Sequence, residues 1–139
     1  MQSILVQDFM NQQPLVVRDT DDIRTVVSKL LEHKVIGAPV VDAQRRLVGF
    51  VSEQDCIKEM LNDAFYCEEP ASVTKVMHRE VLTVTPSTSI VEVAQTMLAN
   101  KPKNYPVVEG DKLVGLVSRQ HVLKALLAND DDCYLRKPA

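Results

Sequence analysis

The chain has no apolar run near the roughly 20 residues that a bilayer-spanning helix needs, so no membrane partner is expected. It also lacks a basic surplus: 16 Lys and Arg stand against 19 Asp and Glu, for a formal net charge of −3. Nucleic acid is disfavoured on that ground, because phosphate binding draws on clustered cations. The three cysteines, Cys56, Cys67 and Cys133, are scattered, odd in number and without a CxxC pair. They suit free thiols in a reducing cytoplasm. His33, His78 and His121 show no ligand spacing, so no metal site is expected. Nucleophile elbow, Walker loop and HExxH are all missing, and no catalytic residue is assigned. The opening Met1-Gln2-Ser3-Ile4 has no basic stretch leading into an apolar one, which argues against a signal peptide.

What is present is a repeat. Residues 6–61 and 73–127 align with a constant offset, broken by one deletion in the turn before Leu113. Met10 falls on Met77, Val17 on Val84, Ile23 on Ile90, and Pro39-Val40-Val41 on Pro106-Val107-Val108. Leu47-Val48-Gly49-Phe50-Val51-Ser52 falls on Leu113-Val114-Gly115-Leu116-Val117-Ser118. A period above sixty residues is too long for a solenoid turn or a propeller blade. It describes two copies of a small domain, and a lone unit of about sixty residues buries too little surface to be robust. With 139 residues, 45% hydrophobic and 25% charged, the chain accommodates two such copies. The expected layout is repeat one over 1–62, a polar linker over 63–72, repeat two over 73–128, and a frayed acidic tail over 129–139.

Each copy reads as strand, helix, strand, strand, helix. In copy one, Leu15-Val16-Val17 is a strand and Thr20-Asp21-Asp22 starts a helix. Apolar residues at Ile23, Val26, Val27, Leu30 and Leu31 give that helix one buried face. Gly37 ends the helical region, and Pro39-Val40-Val41 begins a strand. Leu47–Val51 is the next strand, and Ser52 opens a helix whose apolar face includes Cys56, Ile57, Met60 and Leu61. Copy two repeats this with Val81–Val84, Ser89–Asn100, Pro106–Glu109, Leu113–Val117 and Ser118–Leu127. Short leading helices are expected at Ile4–Met10 and Val73–Met77.

The segment Gly49-Phe50-Val51-Ser52-Glu53-Gln54-Asp55 carries the clearest chemistry. A strand ends where a helix begins, and unpaired N–H groups with the helix dipole favour an anion or a hydroxyl-rich ligand there. Asp55 could accept hydrogen bonds from two vicinal hydroxyls, as a ribose presents. Ser-x-x-Asp is equally close to a capping box, in which both side chains satisfy helix-end donors. Both readings stand on the residues alone.

Two tandem copies, each with an ending on the pattern Gly-hydrophobic-hydrophobic-Ser/Thr-x-x-Asp and an upstream Pro-Val-Val strand, resemble a pair of cystathionine-β-synthase (CBS) domains, a Bateman module. The resemblance covers residues 4 to about 128. It implies an α+β fold of two β-α-β-β-α repeats packed through their sheets about a pseudo-twofold axis, leaving two clefts. Such clefts commonly hold AMP, ADP, ATP or S-adenosylmethionine, with the Asp on the ribose and the Ser/Thr near the phosphates. Carried across, the first cleft would use Ser52 and Asp55 against Thr83, Val84, Lys103, Asn104, Tyr105 and Pro106. Lys103 is a phosphate partner or a solvated lysine beside Lys101, and Tyr105 stacks on a purine or fills the core. The second, weaker cleft would use Ser118, Arg119 and His121 against Val16, Ile36, Gly37, Ala38 and Pro39.

The second cleft departs from the pattern, because position 121 is His rather than Asp. A neutral imidazole accepts one hydrogen bond and cannot hold a diol bidentately. Arg119 compensates for phosphate charge or is an exposed helix-start arginine. The resemblance therefore implies a non-catalytic regulatory module sensing an adenine nucleotide as ligand, with no required cofactor. Its expected partners are a second copy in a homodimer and an effector enzyme or transporter. The alternatives are a dimerisation or docking protein without a small molecule, or a binder of S-adenosylmethionine, whose sulfonium would be repelled by Lys103.

Overall fold

In the computed structural model, residues 4–66, 69–99 and 102–136 are described. The chain divides into two packed units. The first holds Pro14–Val81 and Asp111–Leu113; the second holds the residues before Pro14, Leu82–Gly110 and the residues from Val114 onward.

The first unit is built on three strands in the order β1-β2-β3: Val17–Arg18, Gly37–Val41 and Leu47–Ser52. β1 runs parallel to β2, with Val17 opposite Val40, and β2 is antiparallel to β3. Between β1 and β2 lies α1, Ile23–His33, capped by Asp22, whose carboxylate accepts from the Thr25 N–H at 2.9 Å. Ile23, Val26 and Leu30 are buried as the periodicity predicts, but Leu31 is 73% exposed. The helix ends at Lys34, which adopts the left-handed conformation at φ 54°. Gly37, the expected terminator, instead begins β2 and is buried. After β3 comes α2, Glu53–Tyr66, which continues into the stretch expected to be a linker. Cys56 is buried on it, while Ile57, Met60 and Leu61 lie exposed. Cys67 and its neighbour lie outside the described residues.

The second unit pairs β4, Asn104–Glu109, with β5, Lys112–Ser118. Gly110 sits in their turn at φ +63°, the region that favours glycine. The strand expected over Val81–Val84 is reduced to one parallel bridge between Val84 and Val107. Two bonds make it: Val84 N–H to Pro106 O at 3.0 Å and Val108 N–H to Val84 O at 2.9 Å. Helix α4 spans Ile90–Ala99, and Asn100 and Lys101 lie outside the described residues. Helix α5 runs Arg119–Arg136, so residues 129–136 are helical rather than a frayed tail.

The leading segments pack in exchange. A 3₁₀ turn at Val6–Asp8 precedes repeat one in sequence, yet Val6 is buried in the core of the second unit with Ile90, Tyr105, Val107 and Val117. Helix α3, Val73–Val76, precedes repeat two, yet Val73 and Met77 join the first core with Ile23, Val26, Val40 and Val51. Two glycines make room for these crossings. A Cβ at Gly49 would stand 2.7 Å from Met77 Sδ and 2.8 Å from the His78 carbonyl oxygen. At Gly115 it would stand 2.6 Å from Met10 Sδ and 3.0 Å from the Asn11 carbonyl oxygen. The close approach anticipated at Gly49 is thus made by the chain itself.

Candidate ligand-binding site

In the first unit, the antiparallel register places Gly37 opposite Ser52, so the start of β2 lies beside the end of β3. The Ile36 carbonyl accepts the Glu53 N–H at 2.8 Å. Ile36 and Gly37 are therefore neighbours of Ser52 and the head of α2, although the sequence reading divided them between two clefts. The antiparallel hairpin carries that signal, since the first residue of one strand must oppose the last of the next. Ala38 opposes Val51 and Pro39 opposes Phe50, with Ala38 and Pro39 both buried and Val16 half-buried.

At the head of α2 the capping box forms in full. Asp55 Oδ2 accepts from the Ser52 N–H at 2.9 Å and from the Ser52 hydroxyl at 2.9 Å. Ser52 Oγ in turn accepts the Asp55 N–H at 3.2 Å. With Glu53 N–H also bonded to Ile36, two of the first helical donors are already satisfied, which weakens the case for an anion at this terminus. Asp55 keeps a second oxygen outside the cap. Oδ1 accepts from His78 Nε2 at 2.9 Å, a contact no spacing rule in the sequence signals. His78 reaches it because its backbone exchanges two hydrogen bonds with Phe50, each 2.9 Å, beside Gly49.

In the second unit, the bridge at Val84 sets Thr83 and Val84 alongside Tyr105 and Pro106. A cavity of about 300 Å³ is lined by Thr83, Val84 and Tyr105 together with Thr85, Thr88, Glu92 and Thr96. Tyr105 is only 1% exposed and belongs to the core, the second of its two sequence readings. Its hydroxyl is buried without a hydrogen-bond partner among the described residues. Burial pushes the phenol pKa up, opposed by the positive charge of Arg119. Lys103 and Arg119 are exposed, Asn104 is half-buried and Pro106 is buried.

The head of α5 repeats the cap with a different acceptor. His121 Nδ1 takes the Ser118 N–H at 2.9 Å and lies 3.0 Å from Ser118 Oγ. A backbone N–H can only donate, so Nδ1 carries no proton and the ring hydrogen sits on Nε2. Burial lowers the imidazole pKa, and the nearby Lys124 charge lowers it further. The acceptor that sequence reasoning left to a ligand is already used by Ser118, and the ring has only a donor left to offer.

No helix among the described residues is long and apolar enough to cross a membrane. No group of His, Cys, Asp and Glu among them could hold a metal ion.

The family model for the CBS domain matches residues 6–62 and 73–128. An uncharacterized protein of Methanocaldococcus jannaschii is 27% identical over 121 residues, which are 87% of this chain and 42% of that protein. A second protein of that organism is 28% identical over 155 aligned residues, covering 89% of this chain and 92% of its own length. The chain thus spans less than half of one of these relatives and nearly all of the other. Among solved structures, CBSX2 of Arabidopsis thaliana, determined in complex with AMP, superposes with a TM-score of 0.81 at 30% identity. That match covers 92% of this chain and 99% of the other. Two matched repeats with the α+β element order described above give one conclusion: this chain belongs to the CBS domain family, as a tandem pair.

Proposed function

We propose that this chain is a non-catalytic regulatory module that binds an adenine nucleotide, AMP, ADP or ATP, with Asp55 as its ribose residue. The observation that carries the reading is the likeness, across nearly the full length of both chains, to a structure solved with AMP. The geometry is compatible with it. Asp55 Oδ1 stands outside the capping box, on a helix head whose Ser52 lies opposite Gly37 at the strand ends. Thr83, Val84, Lys103, Asn104, Tyr105 and Pro106 are the further ligand-binding residues we assign, with Lys103 toward phosphate. We assign Ser118, Arg119 and His121, at the head of α5, to a weaker second site; Ile36 and Gly37 lie beside Ser52 at the head of α2. A ligand that favours one conformation shifts its population, and that shift is the signal passed to an effector enzyme or transporter.

We further propose a homodimer. Leu31, Ile57, Leu61, Leu98, Leu123 and Leu127 are large apolar side chains left exposed on the helices, and a second copy would cover them. Sedimentation equilibrium returning a monomer at all concentrations would remove this part. The buried free thiol of Cys56 fits a reducing compartment such as the cytoplasm.

One observation favours a rival: Ser52 and Asp55 already cap α2 completely, which a docking protein without a small molecule would also require. Thermal unfolding with AMP, ADP, ATP and S-adenosylmethionine separates the two. A ligand at about a hundred times its Kd adds ~2.7 kcal/mol of stability. For a chain this size the midpoint then rises on the order of 10 °C. A rise with nucleotide that Asp55→Ala abolishes supports the sensor. A flat response to every ligand supports the docking protein.

A further inference from the structure

We infer that His78 is a specificity-determining residue that occupies the ribose acceptor of Asp55 and must be displaced for a vicinal diol to bind bidentately. The inference rests on the reading of Asp55 as the ribose residue. A carboxylate offers about four lone-pair positions, two on each oxygen. Oδ2 spends both on Ser52, one on its N–H and one on its hydroxyl. Oδ1 spends one on His78 Nε2 at 2.9 Å. One position remains, and two vicinal hydroxyls donating together need two.

The three bonds differ in how readily they yield. Those from Ser52 are part of the helix cap, and breaking them exposes helix-end donors. His78 is held through its backbone to Phe50, while its side chain is 68% exposed and free to rotate into water. Releasing an exposed pair costs little. The imidazole is therefore the group a diol displaces, and it acts as a threshold that monohydroxyl ligands do not meet, since one hydroxyl fits the remaining position. His78 belongs to the sequence of repeat two and Asp55 to repeat one, so the exchanged leading segment places this control on the other repeat's acid.

The test is calorimetric titration of AMP and 2′-deoxy-AMP into the full chain and three variants. His78→Ala is expected to raise AMP affinity about three- to tenfold and to leave 2′-deoxy-AMP nearly unchanged, the size of one partly exposed hydrogen bond to a charged group. His78→Gln, whose amide still donates to Oδ1, is expected to keep the parent ratio. Equal changes for both nucleotides in His78→Ala would overturn the inference and make His78 a purely structural residue. If Asp55→Asn reduces AMP affinity while the ratio stays fixed in His78→Ala, the inference fails alone. If Asp55→Asn leaves AMP affinity untouched, or AMP binds none of the four proteins, the assignment of Asp55 fails and takes the inference with it.

Discussion

The heads of α2 and α5 occupy equivalent places in the two repeats and are closed by different chemistry. At α2 a carboxylate takes the Ser52 N–H; at α5 an imidazole nitrogen takes the Ser118 N–H at the same 2.9 Å. Capping survives the exchange of Asp for His because it asks for only one lone pair at the right distance. The surplus does not survive. Asp55 has a second oxygen left over, and it accepts; His121 has Nε2–H left over, and it donates. A motif that both folds and binds can keep the first half of its work while its ligand-facing half reverses polarity.

If the two leading segments truly serve equivalent roles, the largest effect comes from filling the space they cross. Gly49→Val and Gly115→Val each drive a branched side chain against a methionine sulfur and a backbone carbonyl oxygen within 3.0 Å. The sulfur can move; the carbonyl, held in a two-bond bridge, cannot. Each variant is expected to lose ~1–3 kcal/mol, the usual cost of overpacking. Chemical denaturation measures both. Equal losses support the equivalence, and a tolerated Gly115→Val would break it.

A smaller and more selective effect is expected from the two capping acceptors themselves. Asp55→Ala removes half of a capping box, at about 1 kcal/mol, and should also abolish the thermal response to AMP. His121→Ala should cost similar stability while leaving that response in place. The reverse pattern, with AMP response lost only in His121→Ala, would move the binding site to the second unit.

These heads also mark how far the sequence could be read. The repeat, the element order and the helix starts follow from period and turn chemistry, because each is written in neighbouring residues. The Ser-x-x-Asp signal likewise anticipated the cap now seen at Ser52 and Asp55. Three things were not local. Leu31 has helical core spacing but is exposed, since periodicity names a face and not what covers it. Val6 and Val73 have identical signals on their own repeats, yet each is buried in the other's core. His78 looked like a lone histidine without ligand spacing, and only that exchange sets it 2.9 Å from Asp55. The placement of Ile36 and Gly37 beside Ser52 is legible from the hairpin register, because the first residue of one antiparallel strand opposes the last of the next.

His121→Asp sharpens the comparison by rebuilding the first head in the second repeat. The carboxylate can accept the Ser118 N–H and sits at the positive end of α5, worth roughly 0.5 kcal/mol at neutral pH. It also restores a free acceptor. Calorimetry is expected to find additional AMP bound per chain, most clearly at high nucleotide concentration. An unchanged stoichiometry would show that the acceptor is not what the second head lacks.

The smallest expected effect is a pH dependence that one head has and the other lacks. His121 is held below its ordinary value of 6.5 by burial and then by Lys124. The unfolded chain therefore takes up a proton near pH 6.5 that the folded chain refuses until a lower pH. Stability from this group is full above that value, falls as the pH drops through 6.5 toward the folded pKa, and then levels off. Asp22, lowered chiefly by the Thr25 backbone N–H, loses its contribution only as the pH falls below 3.8, so the windows do not overlap near neutrality. In His121→Asn the amide oxygen can still accept the Ser118 N–H but does not titrate. Subtracting its thermal midpoints from those of the parent between pH 8 and about 5.5 isolates the group. The difference should shift steadily against the parent below pH 6.5, because protonating Nδ1 would set a second donor against the Ser118 N–H. A difference that stays constant with pH would mean that Nδ1 does not accept the Ser118 N–H in solution, and the assignment of the proton to Nε2 would have to be abandoned.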